Sequence, residues 1–575
     1  MIMKDEPIKI WYLGNTGVRN PLRLQDGLKA YAESDLMGKI TGVQGSVSLM
    51  RYLNEQGILN NDEAKDDTGS YGRKWRLMWR KHGFTYNKAE GYCQEELGPL
   101  DYITPFGRTF IEADTVPAIQ ECFLRAMSMH MFEMDEAGKY FSPLRWTLAV
   151  LLKVEERTGS PDVSFVEFAA MIQTSDPSHN IDEVVDDILK IREAREKSTA
   201  KKLFNKKVYA EIGKNYNKKN DNFKEYADMN LRYLRASGIF QRKGRGIAIV
   251  KEKHILAERL ASELISEESN LLRWKTLCEG RATLPTDDKD LALQVVYDLK
   301  RELDVKGITF DEDFMTHIDV SSSQDINNVR HSLEDRLAKY NEVVYAENQR
   351  EQWKEIYDYM TLVSKRGGSK KYADDIEIKV PKDEVAAYLE WTTWRSFLAI
   401  DSLKNQPYEA RHFRIDQDYF PVNTAPGNGS DLLIELDKYV FVIEVTMSES
   451  SRQEAMEGEP VRRHVADIVQ DEKYKGKEVY GIFIANHVNI NTYETFRLGS
   501  WYTPDEQKLL LNIVPFTIEQ YNALFKAIFE NNKVSDEVVA GLLKQCVENK
   551  NNLDAIEWKN SLVETMENYN QVLAS

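Results

Sequence analysis

Four consecutive apolar residues, Val440-Phe441-Val442-Ile443, run directly into a glutamate, Glu444, and this junction constrains the fold more than any other segment. An unbroken β-branched and aromatic run of this length predicts a strand buried on both faces, as in a sheet covered by helices on each side. A second strand precedes it, Asp431-Leu432-Leu433-Ile434-Glu435-Leu436, with Asp437-Lys438 as a polar tip between the two. Pairing outward from that tip sets Leu436 opposite Tyr439, Glu435 opposite Val440 and Asp431 opposite Glu444. Directly opposed residues project to one face with Cβ atoms about 4.5–5.5 Å apart. Two carboxylates that close repel each other unless a proton or a cation lies between them. A hard divalent cation suits the pair, because Mg²⁺ is usually held by one or two carboxylates plus waters and phosphate oxygens. Such a site polarises a phosphodiester and generates hydroxide from bound water. The competing reading, with Asp431 merely opening its strand and Glu444 an edge charge, leaves the charge at the end of a buried strand without a reason.

The surrounding pattern is that of a small α/β domain over residues 381–575. A helix from Lys382 to about Leu403 carries Tyr388, Trp391, Trp394 and Leu398 on one stripe. After the hairpin come a helix from Pro460, a buried strand over Val479 to Ala485, another over Asn512 to Phe516, and helices from Ile518. Upstream, Asp288 to Leu303 and Ser321 to Arg366 show the helical apolar period with few glycines. That stretch ends in Arg366-Gly367-Gly368-Ser369-Lys370-Lys371, which reads as a polar hinge. Residues 281–380 are therefore expected to be a helical linker and hinge, with a domain boundary near 380.

At 575 residues the chain is too long for one core, and two to four domains are expected. Its 42 % hydrophobic and 29 % charged residues exclude a disordered chain. The longest apolar run, around Trp146 to Leu152, is too short to cross a bilayer, and the first twenty residues hold no secretory apolar region. Four scattered cysteines, Cys93, Cys122, Cys278 and Cys546, form neither a CxxC metal site nor a disulfide framework and fit a reducing, cytoplasmic setting. Phosphate-binding GxxxxGK[S/T], strand-linked GxGxxG and HExxH motifs are absent from the sequence.

A net charge of −17 would disfavour a polyanionic partner if it were evenly spread. Residues 201–260 instead carry sixteen Lys or Arg against six Asp or Glu. A second basic cluster, Arg73, Lys74, Arg76, Arg80 and Lys81, is interleaved with Trp75, Trp79 and His82. Basic stripes on an acidic chain suit a protein that meets nucleic acid on chosen faces, although each run alone also reads as a solvated helix. Both clusters sit in the order helix, glycine stop, hairpin. The first runs Ser70 to Lys81, His82-Gly83, then extended segments around a Pro105-Phe106-Gly107 turn. The second runs Tyr226 to Ala236, Ser237-Gly238, then Ile239-Phe240 and Ile247 to Val250 around Arg242-Lys243-Gly244-Arg245-Gly246. That order is winged-helix-like, so residues 1–280 are expected to be a recognition region for double-stranded DNA made of two such units, about 1–140 and 141–280. Arg73, Arg76 and Arg80, and likewise Arg232 and Arg235, recur at helical spacing and could reach base edges. Lys243 and Arg245 in the wing suit phosphate.

Four segments carry a resemblance to a known family: Glu390-Trp391-Thr392-Thr393-Trp394, Ala425-Pro426-Gly427-Asn428-Gly429-Ser430-Asp431, Glu444-Val445-Thr446, and Met456-Glu457-Gly458-Glu459-Pro460-Val461-Arg462-Arg463-His464. The hairpin resembles the PD-(D/E)xK nuclease core, and the wider stretch resembles the AlwI-type family of type IIS restriction and site-specific nicking endonucleases. The resemblance implies a multidomain α+β protein with an N-terminal recognition region, a helical linker and a C-terminal restriction-endonuclease-like domain. It implies a Mg²⁺-dependent DNA endonuclease cutting at a distance from an asymmetric site, with catalytic residues Glu390, Asp431, Glu444, Glu457 and His464. Asp431 and Glu444 would hold the metal, with the Val445 carbonyl as a third ligand. One departure stands out: the superfamily's lysine, two residues after the second acid, is Thr446. The residues also admit plainer roles. His464 shares a helical face with Val461, Val465 and Ile468, Glu457 precedes Pro460 at a helix start, and Glu390 lies between Leu389 and Trp391. A single such site cuts one strand, so double-strand cleavage would need a homodimer or a second cleavage subunit. Two other functions fit the same features: a structure-specific DNA repair or recombination nuclease, and a non-enzymatic winged-helix regulator.

Overall fold

The structure is a computed structural model describing residues 10–574 except 16, 60–67, 89–96, 135, 137, 216–221, 269, 309–322, 374–375, 383, 401, 417, 428 and 450–451. Residues 1–9, Cys93, Ser321 and Asn428, used in the sequence reading, lie outside the described residues. The chain divides into two compact units, 1–338 and 339–575. Among the described residues no helix is long and apolar enough to cross a membrane. Cys122, Cys278 and Cys546 are free and buried.

In the first unit the helix Ser70–Lys81 forms as the spacing predicts and buries Trp75, Met78 and Trp79 along one stripe. The segment after it departs from expectation. Pro105-Phe106-Gly107 is not a hairpin turn but the first turn of a helix, Pro105–Glu112. The local chemistry explains this: the Thr104 hydroxyl accepts the Gly107 N–H at 2.8 Å, and proline just inside the start is pre-set for a helix. Phe106 and Phe110, one turn apart, then both point into the core, where Phe110 stacks on Phe84 with ring centroids 4.0 Å apart. Residues 100–104 therefore do not pair with 108–111 as expected; Ile103 bridges Thr85 instead, so the first helix-and-hairpin arrangement does not form around this turn.

The second helix-and-hairpin arrangement does form. The helix Asn222–Ala236 ends before Gly238, whose φ of +67° favours glycine, and the strands Phe240–Lys243 and Gly246–Ile249 pair around Gly244-Arg245. A third short strand, Asp162–Val163, joins the return strand. A side chain at Gly246 would fall 1.8 Å from the Val163 carbonyl, so this crossing requires glycine. The helix Lys289–Val305 follows, capped by Asp288.

The stretch with the helical period up to Arg366 is helical, but the expected hinge is built differently. Helices Ser323–Glu347 and Trp353–Ser364 are separate. Residues 368–373, within the expected hinge, form an antiparallel hairpin with Ile376–Val380. Tyr359, Met360, Val363, Ile378 and Val380 belong to the same core cluster as the helix Val385–Ile400. Hence the end of the expected linker is part of the second unit, whose division from the first falls near 338 and not near 380.

The second unit is organised around a four-stranded sheet in the order Ile513–Thr517, Glu478–Ala485, Tyr439–Thr446, Leu432–Glu435. The first three strands are parallel and the edge strand is antiparallel. The helix Glu459–Gln470 forms the crossover between two parallel neighbours. Residues 440–444 are all buried, because helices cover the central strand on both faces. Phe441 meets Phe397 of Val385–Ile400 on one side. On the other, Gly481, register partner of Val442, lets Val465 of the crossover helix approach so closely that a Cβ there would lie 2.8 Å from it. Alternation then turns Glu444 to the crossover-helix side.

Candidate active site

The ladder of the hairpin runs Glu435–Val440, Ile434–Phe441, Leu433–Val442 and Leu432–Ile443, the register the sequence predicts. Continued by one residue, it opposes Asp431 to Glu444. The two acids are latched reciprocally. The Val445 N–H donates to Asp431 Oδ2 at 2.8 Å, and the Asp431 N–H donates to the Glu444 carboxylate. A strand residue presents its N–H and C=O to the same edge, so the Val445 carbonyl projects toward the Asp431 side as well.

The other three candidates converge on this pair. Glu390, buried on the helix Val385–Ile400, accepts the Ala425 N–H at 2.7 Å and lies within electrostatic reach of Asp431 and Glu444. It is 4 % exposed, so it is not a solvent-facing charge on its helix. Arg395 on the same helix is sealed against Gln349, Gln352 and Glu355, which fixes the helix that carries Glu390. His464 on the crossover helix places Nδ1 2.5 Å from Glu444 Oε1, while its Nε2 is buried without a hydrogen-bond partner among the described residues. Glu457 stands in a π-helical turn, Glu454–Gly458, that leads into the crossover helix. Such turns redirect side chains and recur at functional sites. Gln453, at the turn's start, holds it by donating to the Ser448 and His487 carbonyls and accepting from Asn489. The Thr446 hydroxyl, at the position of the superfamily lysine, donates to Glu457.

The electrostatics follow from burial. Glu444 is pushed up to about 8, first by desolvation and then by Glu457. Burial and repulsion from Glu444 raise Asp431, and burial and repulsion from Asp431 raise Glu390. Glu457 is raised by burial and restrained by Thr446. Burial, with nearby Arg463, depresses the His464 imidazole. A raised acid facing a depressed base across the 2.5 Å contact favours a neutral pair over two full charges.

Among the described residues no group of three or more His, Cys, Asp or Glu side chains is gathered as a metal cage. Two carboxylates and one main-chain carbonyl, all hard oxygen donors, nevertheless fit a Mg²⁺-like ion that retains several waters. The four acids are raised first by burial, and Glu390, Asp431 and Glu444 also by neighbouring acids, a balance that a cation held between them would offset.

The basic candidates divide. Arg73 is exposed, but Arg80 makes a two-pronged pair with buried Asp101 at 2.7 and 2.6 Å, and Arg76 donates to the Ile40 carbonyl. Their shared helical spacing therefore does not make a shared outward face. Arg232 pairs with Asp228, and Arg235 donates to the Leu231 carbonyl. Lys243 and Arg245 are exposed at the hairpin tip, with Arg245 5.3 Å over the Phe165 ring. Gln453 and the Ala410–Phe413 segment, whose His412 N–H donates to the Asp431 carbonyl at 3.1 Å, had no periodicity or motif to reveal them.

A family model described as AlwI restriction endonuclease matches residues 81–524. A search of curated proteins gives no match. Among solved structures, the small subunit of the heterodimeric restriction endonuclease R.BspD6I is 19 % identical, over 37 % of this chain and 98 % of its own, with a TM-score of 0.28. The BpuJ1 endonuclease binding domain, solved with modified DNA, is 12 % identical over 49 % of this chain and all of its own, with a TM-score of 0.33. Scores this low transfer neither fold nor function.

Proposed function

Because the chain belongs to the AlwI restriction endonuclease family, we propose that it is a Mg²⁺-dependent, sequence-specific DNA endonuclease of the type IIS or nicking kind, hydrolysing a phosphodiester at a distance from an asymmetric site. The observation that carries the chemistry is the reciprocal latch of Asp431 and Glu444 on each other's strands. Asp431, Glu444 and the Val445 carbonyl would hold the cation. When bound, the ion supplies Lewis-acid polarisation of the phosphate and a water of lowered pKa. The protein's own groups set the rest. His464 Nδ1, in contact with Glu444 Oε1, takes that carboxyl's proton when the carboxylate must be bare. Glu457, oriented by the Thr446 hydroxyl, accepts a proton from the attacking water, the task the absent lysine would otherwise assist. Glu390 fixes the Ala425 loop beside Asp431.

Recognition is assigned to residues 1–280. The wing residues Lys243 and Arg245 grip phosphate, and Arg73, Arg232 and Arg235 are the remaining base-reading candidates. With one such acid cluster among the described residues, one strand is cut at a time, and double-strand cleavage requires a homodimer or a second subunit. The test is a plasmid digest with Mg²⁺ followed by sequencing of the ends, which reports site, offset and nicking together. Discrete ends at a fixed distance from one asymmetric sequence are expected. Cutting that follows branches or free ends would overturn the reading.

A further inference from the structure

Asp431 lies one residue beyond the last ladder pair of its strand, so the sheet itself does not hold it. Its main chain is gripped from two sides: inward by its N–H on Glu444, and outward by the His412 N–H on its carbonyl. The outward grip belongs to a strap, Ala410–Phe413. There the Leu433 N–H donates to the Ala410 carbonyl at 3.0 Å, and Arg411 bridges Leu432. Two side chains of the strap hold it: His412 Nδ1 meets the Ser430 carbonyl beside Asp431, and Arg411 makes the longer reach. Arg411 donates through Nε and Nη2 to the two oxygens of Glu342, at 2.7 and 2.8 Å, and through Nη1 to the Phe413 carbonyl at 2.6 Å. All three nitrogens of the fork are engaged, which fixes the strap in direction as well as position.

Glu342 is itself rigidly set. It is 5 % exposed, on the last turns of the helix Ser323–Glu347, and Tyr345 one turn later stacks on Tyr419 with centroids 4.2 Å apart. The Tyr419 carbonyl accepts the Trp391 Nε1 proton at 2.6 Å, directly beside Glu390. A buried ion pair contributes little net stability relative to a well-packed apolar pair, but it specifies geometry.

We propose that the Glu342–Arg411 pair is a positioning device for the cleavage site, holding the strap that sets Asp431 against Glu444. This role rests on Asp431 acting as a metal-holding carboxylate, as read above. Neither Glu342 nor Arg411 touches the reacting atoms. Both act through the His412–Asp431 main-chain bond, as outer-shell residues orient metal ligands.

The experiment uses the full-length chain with Glu342→Gln, Arg411→Lys and Asp431→Asn. Expected for the first two is a loss of about 10–100-fold in kcat, with a higher Mg²⁺ concentration for half-maximal rate. KM for DNA stays unchanged, and amide exchange quickens at His412 and Leu433 while the central strand stays protected. Arg411→Lys keeps the charge and loses the fork, so it reports on geometry even if Glu342→Gln loosens the fold. Wild-type kcat in both variants with Asp431→Asn inactive would overturn the positioning role alone, as would faster exchange spread evenly over residues 339–575. Cleavage by Asp431→Asn would instead overturn the reading of the site.

Discussion

Replacing Glu444 by glutamine should change how the metal-free protein's stability depends on pH, by an amount that follows from the site. Burial and Glu457 lift this carboxyl from its ordinary 4.5 to about 8. A group that binds its proton more tightly when folded contributes stability that is fully present below the unfolded value and lost as pH rises toward the folded one. One proton taken up on folding corresponds to about 1.4 kcal/mol per pH unit, or about 4 kcal/mol from pH 5 to pH 8. Glutamine has the shape of the protonated acid and no such dependence. The two proteins should therefore melt together near pH 5 and diverge above it, the variant becoming the more stable. For a unit the size of residues 339–575 the gap should widen by roughly 3–5 °C per pH unit. The assay is a melting series in chelator from pH 5 to pH 8, repeated with Mg²⁺. The ion should restore the wild type at the alkaline end and leave the variant nearly unmoved. Parallel melting curves for the two proteins would refute the argument, because Glu444 would then ionise as freely in the fold as out of it.

Other outcomes are expected from the same structure. Asp431→Ala and Glu444→Ala should each abolish cleavage while gel-shift affinity for the recognised DNA is retained; scission by either purified variant in Mg²⁺ counts against the assignment. Lys243→Ala with Arg245→Ala should weaken binding to all sequences alike and reduce the slope of log affinity against log salt by about 2, as filter binding over a salt series would report. Arg80→Ala should act on stability, not on DNA affinity. Leaving Asp101 buried without its partner costs about 3–5 kcal/mol, visible in denaturant unfolding, whereas binding measured below the transition stays at the wild-type level.

The hairpin was legible because three independent signals agree there: a two-sided apolar strand, a polar tip that centres the pairing, and an acid at each open end. Register follows from such a pattern, since a slip of one residue would bury the wrong face. Glu457 was less legible. Its place beside Thr446 depends on a π turn, for which the sequence carries no period, and only the resemblance singled it out. The arginines fail as predictors for a related reason. Arg80 and Asp101 are separated by 21 residues, and a charge count cannot distinguish an arginine consumed by a distant carboxylate from one facing solvent. Pro105 misleads because proline and glycine together suggest a turn, while the cap that decides for helix is the threonine before them. The glycines at 367 and 368 do have φ of +103° and +138°, as a flexible joint would allow, yet they launch a paired strand.

The lysine missing at position 446 and the shared proton between Glu444 and His464 are two sides of one electrostatic arrangement. A lysine there would neutralise Glu457 and draw the neighbouring acids down, leaving them ionised without any added ion. Threonine offers a hydrogen bond and no charge, so four largely buried acids face each other with Arg463 and a depressed imidazole nearby. The stable metal-free state at neutral pH then keeps protons on the cluster, one of them between Oε1 of Glu444 and Nδ1 of His464. A divalent cation held by Asp431 and Glu444 would have to displace those protons, and the imidazole is in hydrogen-bond contact to take the first. On this reasoning, cation affinity and proton release would be a single linked event.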